Sequence, residues 1–258
     1  MKITVLGCGN SFGVPIIGCG CAVCTSTNPK NKRMRVSVAV QTDDLNIIID
    51  TSPDFRQQML TNNIKKIDAV LYTHDHADHT HGIDDLRAFN FGRETPIPIY
   101  GNAETINSLK TRFPYCFKTR EQKSVIFCPN LEGNELENGE IVDFMVENTK
   151  ITAFKQKHGK TKTLGYRIGN FAYSTDVDEL PESAFAALAG VKCWVVDCLR
   201  DEPSYSHSYL EQTLGWIARI KPKIAILTHM AHEFEYEKLT SELPTGVFAG
   251  YDGMVVEV

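Results

Sequence analysis

The chain has 258 residues, 42% of them hydrophobic and 23% charged, with a formal net charge of −5. These proportions exclude a disordered polymer and supply enough apolar surface for a core without disulfide staples. The acidic balance argues against a general nucleic-acid-binding surface, which needs a basic excess.

In chain order, strands are expected at 3–6, 36–41, 46–49 and 69–72, short runs rich in Val, Ile, Leu or Thr. Asp43-Asp44 marks a hairpin-like turn between the second and third. A helix is expected at 53–60, with Pro53 in its first turn, and others at 83–91 and 104–113. A second set of strands follows at 124–127, 141–144, 150–154, 164–168 and 171–174. The acidic, polar stretch 130–140 reads as a surface loop. Helices return at 182–189 and 209–220, the latter with Ser208 as the expected N-cap. A strong strand is expected at 223–228 and a helix at 233–243.

No repeat, low-complexity linker or composition break interrupts the chain, so residues 1–258 are expected to form one α/β domain of two mixed sheets packed together, with helices outside. The first residues read as a strand entering a tight turn, not as a secretory leader. No apolar run approaches the roughly 20 residues that cross a bilayer. A cytoplasmic protein without membrane association is the expectation. In that compartment closely spaced cysteines are metal-binding or catalytic more often than disulfide-bonded.

Eight His and eight Cys are present, and several are placed rather than scattered. Thr73-His74-Asp75-His76-Ala77-Asp78-His79-Thr80-His81 follows the apolar strand 69–72. A strand end delivers side chains to an accessible rim. Imidazoles and carboxylates this dense are costly to bury unless a divalent ion takes them as ligands. Gly18-Cys19-Gly20-Cys21-Ala22-Val23-Cys24 holds three thiols at C-x-C-x2-C spacing. Tetrahedral zinc needs a fourth ligand. On spacing alone it is Cys8, Cys116, Cys128, Cys193, Cys198 or a histidine.

The H-x-H-x-D-H string resembles the signature of the metallo-β-lactamase superfamily, and the resemblance runs along the whole chain. Asp50, His158, Asp176 and His229, each just after an apolar strand, resemble that family's other motifs in their order. The resemblance implies a four-layer αββα sandwich and two divalent catalytic ions, zinc or manganese. His74, His76 and His158 would hold one ion, and Asp78, His79 and His229 the other. Asp176 would bridge them, with Asp50 and Asp75 orienting imidazoles from behind. A metal-bridging hydroxide would be the nucleophile. The cysteine loop together with His232 resembles the phosphoribosyl cyclic phosphate phosphodiesterase branch, in which Cys19, Cys21, Cys24 and His232 would hold a structural zinc. That branch also implies His207 as a substrate-binding and catalytic group, beside Asp78.

The implied activity is the opening of a small cyclic phosphodiester, a phosphoribosyl cyclic phosphate or a cyclic-nucleotide-like compound. A small anionic substrate and a homodimer are implied by the resemblance alone. A glyoxalase-like thioester hydrolase, a tRNA 3′-end nuclease and a catalytically silent zinc-binding module are the competing readings. The acidic charge and the absence of an evident basic arm weigh against the nuclease. The filled ligand positions weigh against the silent module. A di-iron redox protein on the same scaffold is disfavoured because His76 stands where that group carries Glu.

Overall fold

A computed structural model describes residues 1–118 and 128–258. The strand expected at 124–127 lies outside the described residues. Strands β1 (Lys2–Gly7), β2 (Ser37–Gln41), β3 (Asn46–Ile49), β4 (Ala69–Leu71), β5 (Ile97–Asn102) and β6 (Leu131–Leu136) build the first sheet. Strands β7 (Ile141–Val146), β8 (Thr149–His158), β9 (Thr161–Ile168), β10 (Phe171–Ser174), β11 (Cys193–Asp197), β12 (Ile224–Thr228) and β13 (Val247–Ala249) build the second. The last strand, β14 (Met254–Glu257), returns to the first sheet beside β1. The orders are β14-β1-β2-β3-β4-β5-β6 and β13-β12-β11-β10-β9-β8-β7. Each sheet is antiparallel on one side and parallel on the other.

Alternation along the strands explains the layering. Val38, Val40, Ile47, Ile49, Ala69 and Leu71 point into the core shared with the second sheet. Their neighbours Ala39, Ile48 and Val70 point the other way and join a separate cluster with Phe55, Met59, Ile106 and Leu109. Those partners lie on helices α2 (Phe55–Thr61) and α4 (Ala103–Arg112), the second and fourth of the seven α-helices among the described residues. The others are the one-turn α1 (Ala22–Thr25) and α3 (Ala77–Thr80), then α5 (Glu182–Leu188), α6 (Leu210–Ile220) and α7 (Tyr236–Glu242). Burial on both sheet faces is why these strands read as near-continuous apolar runs. The result is the four-layer αββα sandwich that the resemblance implies.

Several local expectations change. Residues 131–136 of the expected loop form β6, an edge strand paired in parallel with β5. Its polar sequence reflects the half-solvated edge, where charged side chains are common. The segment 83–91 winds as a 3-10 helix over Ile83–Asn90, and the Asp84–Arg87 ion pair of 3.2 Å suits a repeat of three. Strands β5, β11, β13 and β14 were not among the expected elements. In β5, Pro98 and Gly101 break the strand pattern that would reveal it. Ser208 does not cap α6. Its hydroxyl turns inward and donates to the main-chain oxygen of Asp197 at 2.6 Å.

The fold converges six strand ends on one rim. In the first sheet β3 and β4 run parallel, so residues 50 and 72–79 emerge together. In the second, β10, β11 and β12 run parallel. Strand β8 shares their direction because both it and β10 are antiparallel to β9. His158, Asp176, Asp197 and His229 therefore emerge on one side. Main-chain bonds tie this rim to the first sheet. Met230 N–H donates to Cys8 O at 2.8 Å, and Asn10 N–H to Met230 O at 3.3 Å.

Candidate metal centre

Asp50, Asp176 and His229 all occupy the left-handed backbone region, at φ 63°, 53° and 59°. Non-glycine residues there are strained, and such residues cluster where a functional geometry is over-determined by its surroundings. Each turns the chain sharply off a strand end, so its side chain points over the rim. His74 and His76, two apart in an extended segment, face the same way.

Asp176 lies at the centre, and its two oxygens face two different sets of donors. Oδ1 is 3.9 Å from His74 Nε2 and 3.7 Å from His158 Nε2. Oδ2 is 3.1 Å from His79 Nε2 and 3.4 Å from His229 Nε2. Asp78 Oδ2 joins the second set, 3.3 Å from His79 Nε2 and 3.7 Å from His229 Nε2. His76 joins the first, where a ligand atom from each of His74, His76, His158 and Asp176 lies within 4.8 Å of the others.

Metal ions fit both sets on two observations. His74 Nε2, His79 Nε2 and His229 Nε2 are buried without any hydrogen-bond partner, a cost a native protein rarely bears unless something unseen takes the lone pairs. Donor separations of 3.1–3.9 Å are those expected when N and O ligands each stand about 2.0–2.2 Å from a shared ion.

The outward nitrogens are held by oxygen acceptors. His79 Nδ1 meets Asp50 Oδ2 at 2.7 Å, and His158 Nδ1 donates to Ser206 O at 2.6 Å. His74 Nδ1 lies 3.0 Å from Thr73 Oγ1, which donates to Asp50 Oδ2 at 2.8 Å. A proton on each Nδ1 leaves Nε2 free to ligate. Electrostatics keep the carboxylates charged. Burial works against ionisation of Asp176, but His229 and His79 outweigh it and hold its carboxyl well below the usual range. Asp78 is likewise held low against burial, chiefly by His79.

His207 faces the same centre, with Nε2 3.9 Å from Asp176 Oδ1. Its ring stacks on His229 at 4.5 Å and 16°. Burial opposes its charge, yet the Asp197 carboxylate prevails and lifts its pKa to about 9. With no ion in the centre, it therefore holds a proton at neutral pH.

Asp75 does not orient an imidazole. It lies between His74 and His76 and points the opposite way, where its Oδ2 accepts from Ser108 Oγ at 2.6 Å. His81 also lies outside the centre, edge-on to Phe113 with Arg112 Nη1 at 3.4 Å. Sequence reading missed three contributors. Thr73 and the Ser206 carbonyl carry no sequence signal of their role. Asp197 did carry one, since it ends the apolar run Cys193-Trp194-Val195-Val196 as Asp50 ends β3.

The cysteine loop forms a second cluster with His232. Cys19, Cys21 and Cys24 Sγ lie 3.4, 3.3 and 3.6 Å from His232 Nδ1. Tetrahedral zinc with ordinary Zn–S and Zn–N bonds separates S and N by about 3.5 Å, so this donor set also fits an ion. The buried Arg33 fixes the segment that carries His232, donating to Ala231 O at 3.0 Å and Phe234 O at 2.7 Å. Cys24 N–H points at Cys21 Sγ and, with the neighbouring thiols, lowers the Cys21 pKa to about 6. Burial raises that of Cys24 to about 11.

Fold and site together define a class, the metal-dependent hydrolases with a binuclear His/Asp centre. A β-lactamase superfamily domain model matches residues 45–230, and the chain belongs to the metallo-β-lactamase superfamily. Over its full length it is similar to a crystal structure described as a new diphosphatase from the PhnP family. Identity is 37%, coverage 99% of this chain and 96% of the other, and the TM-score 0.90. An octanoyltransferase of Porphyromonas gingivalis is 34% identical over 98% of this chain. The chain spans about half of that relative, 51% of its length. Zn2+-bound PqqB from Methylobacterium extorquens, at 19% identity, 100% coverage of both chains and a TM-score of 0.78, shares the fold. No helix among the described residues is long and apolar enough to cross a membrane.

Proposed function

We propose that this chain hydrolyses a small phosphodiester, with a cyclic phosphodiester as first choice of substrate. The arrangement around Asp176 carries this reading, because two donor sets share one carboxylate and a protonated His207 stands beside them. His74, His76, His158 and Asp176 would hold one ion, and Asp78, His79, His229 and Asp176 the other. Bound divalent ions supply Lewis acidity to phosphoryl oxygens and make water a nucleophile near neutral pH. The protein groups do the rest. Water oxygen bonds to phosphorus, and the bond to one ester oxygen breaks. His207 Nε2 gives its proton to that departing oxygen, and the product is a phosphomonoester. The mild net acidity suits a small anion better than a nucleic-acid polymer.

A second reading, hydrolysis of a diphosphate bond, is favoured by the name of the 37% identical structure. The acyl-transfer name belongs to a protein about twice as long. Metal-loaded protein assayed on bis-p-nitrophenyl phosphate, a 2′,3′-cyclic nucleotide, a diphosphate diester and a thioester separates the readings. Turnover of the first two is expected. Turnover of the diphosphate diester alone selects the second reading, and thioester turnover alone refutes both.

The thiolate cluster is proposed as a structural zinc site, the soft donors favouring zinc. Cys19→Ser and His232→Ala are each expected to lower tightly bound zinc by one ion per chain, measured by mass spectrometry. Unchanged content in both variants would overturn the assignment. Once zinc is removed by chelation, Cys21 is expected to be alkylated at a rate nearly flat between about pH 8 and pH 7 and half-maximal at its pKa of about 6. A lowered pKa keeps the thiolate populated at neutral pH, and the rate falls as pH drops through the pKa.

A further inference from the structure

Asp197 is fully buried at the end of β11, and its carboxylate faces two imidazoles at once. Oδ2 lies 3.4 Å from His207 Nδ1, and Oδ1 lies 3.7 Å from His229 Nδ1. Ser208 fixes the carboxylate from its other side. Its N–H reaches Oδ2 at 3.0 Å and its hydroxyl at 3.2 Å. Thr213 Oγ1 donates at 2.8 Å to the main-chain oxygen of Asp197 and lies 2.9 Å from Ser208 Oγ, which holds the start of α6 against the same strand end.

Three buried polar atoms here lack a partner at full hydrogen-bond geometry: Asp197 Oδ1, His207 Nδ1 and His229 Nδ1. They face one another, and a closure of a few tenths of an ångström would satisfy all three. Such contacts are often long in the absence of ligands and tighten when the centre is assembled. The remaining imidazoles of the centre with a held Nδ1 are served separately, by Asp50, Thr73 and the Ser206 carbonyl. Here a single carboxylate serves two rings of different duty. His229 presents Nε2 to Asp78 and Asp176, while His207 presents Nε2 beside the opposite oxygen of Asp176.

We propose that Asp197 is a positioning residue that sets the orientation of both His207 and His229 and keeps a proton on Nδ1 of each, and so couples ion binding in the second donor set to the group that protonates the leaving oxygen. The assignment rests on the binuclear reading given above. A carboxylate behind a ligating imidazole fixes the ring and raises its basicity, and its loss costs about 10–100-fold in metal affinity. The stacking of the two rings means that one carboxylate shift misplaces both.

Asp197→Asn preserves shape and removes the charge. Calorimetric zinc titration of this variant is expected to show about 10–100-fold weaker binding at one catalytic site, with the thiolate site and the other catalytic site within about twofold of wild type. Turnover should fall further on a substrate with an alkyl leaving group than on bis-p-nitrophenyl phosphate, whose leaving group needs no proton. Nitrogen-15 spectra of the metal-loaded wild-type protein provide a readout independent of both substrate and variant. A proton on Nδ1 is expected in both rings, and a spectrum with either Nδ1 unprotonated overturns the proposal even if the variant fails to fold. Zinc affinities all within twofold of wild type overturn it as well. Absence of phosphodiester turnover in the wild type would count against the proposed reaction, while the affinities and the spectra would still decide the role of Asp197.

Discussion

Asp176→Asn is expected to reduce hydrolysis by on the order of 10³-fold or more, since it removes several kcal/mol of charge stabilisation around the reacting phosphorus. Among the described residues the Asp176 carboxylate contributes to both donor sets of the centre, with Oδ1 toward His74 and His158 and Oδ2 toward His79 and His229. Dications held about 3.5–4 Å apart need anionic charge between them. An amide keeps one acceptor oxygen and no charge, so one set loses its oxygen donor and the other keeps a weaker one. Asparagine is the right replacement because the backbone at 176 is left-handed, at φ 53°. Asn tolerates that region, whereas Ala adds a backbone cost of about 1–2 kcal/mol. Metal analysis should show the loss of at least one catalytic ion while zinc in the thiolate cluster persists. Turnover within tenfold of wild type would overturn the central role of Asp176.

The largest expected stability loss is at Trp194, where Trp194→Ala should cost about 3–5 kcal/mol. The ring is fully buried on β11, with Ala172 of β10 and Ala225 of β12 as its register neighbours. These small flanking side chains leave room for the indole in the core. Its Nε1–H donates to Ser174 Oγ at 3.1 Å, so Ala both empties a large volume and leaves a buried hydroxyl short of a donor. Trp194→Phe, which retains most of the apolar area, should lose less than half as much. Urea unfolding followed by circular dichroism measures both. A loss under about 1.5 kcal/mol for the alanine variant would mean that the cavity collapses freely, which close-packed strands resist. The consequence reaches the centre, because Ser174 lies two residues before Asp176 and Trp194 three before Asp197.

The residues that carry chemistry were legible in the sequence where they are dense. His74, His76, Asp78 and His79 stand in one short segment, and an alternating pair of histidines off a strand end faces one way by backbone geometry alone. The cysteine loop is legible for the same reason. His158, Asp176, His207 and His229 are far apart in the chain, and only their resemblance to ordered family motifs singled them out. Most apolar strands of both sheets were legible because two-sided burial demands unbroken apolar runs, although β11, buried along its whole length, was not among those expected. The edge strands β6 and β14 and the Pro-containing β5 were not, because their pairing depends on a neighbour and not on their own composition.

Direction and partnership were decided by the tertiary structure. Asp75 sits within the densest motif yet faces Ser108, since neighbours in an extended segment point to opposite sides. Ser208 has the composition of a helix cap, but the main-chain oxygen of Asp197 competes for its hydroxyl and wins. Asp197 reaches His207 and His229 because parallel pairing brings the ends of β11 and β12 side by side. The sequence by itself determined which donor atoms the protein owns, since ligand chemistry belongs to residue type. Which donors share an ion, and which oxygen stands behind each imidazole, depended on the convergence of distant strand ends, a long-range property that no local window of sequence contains.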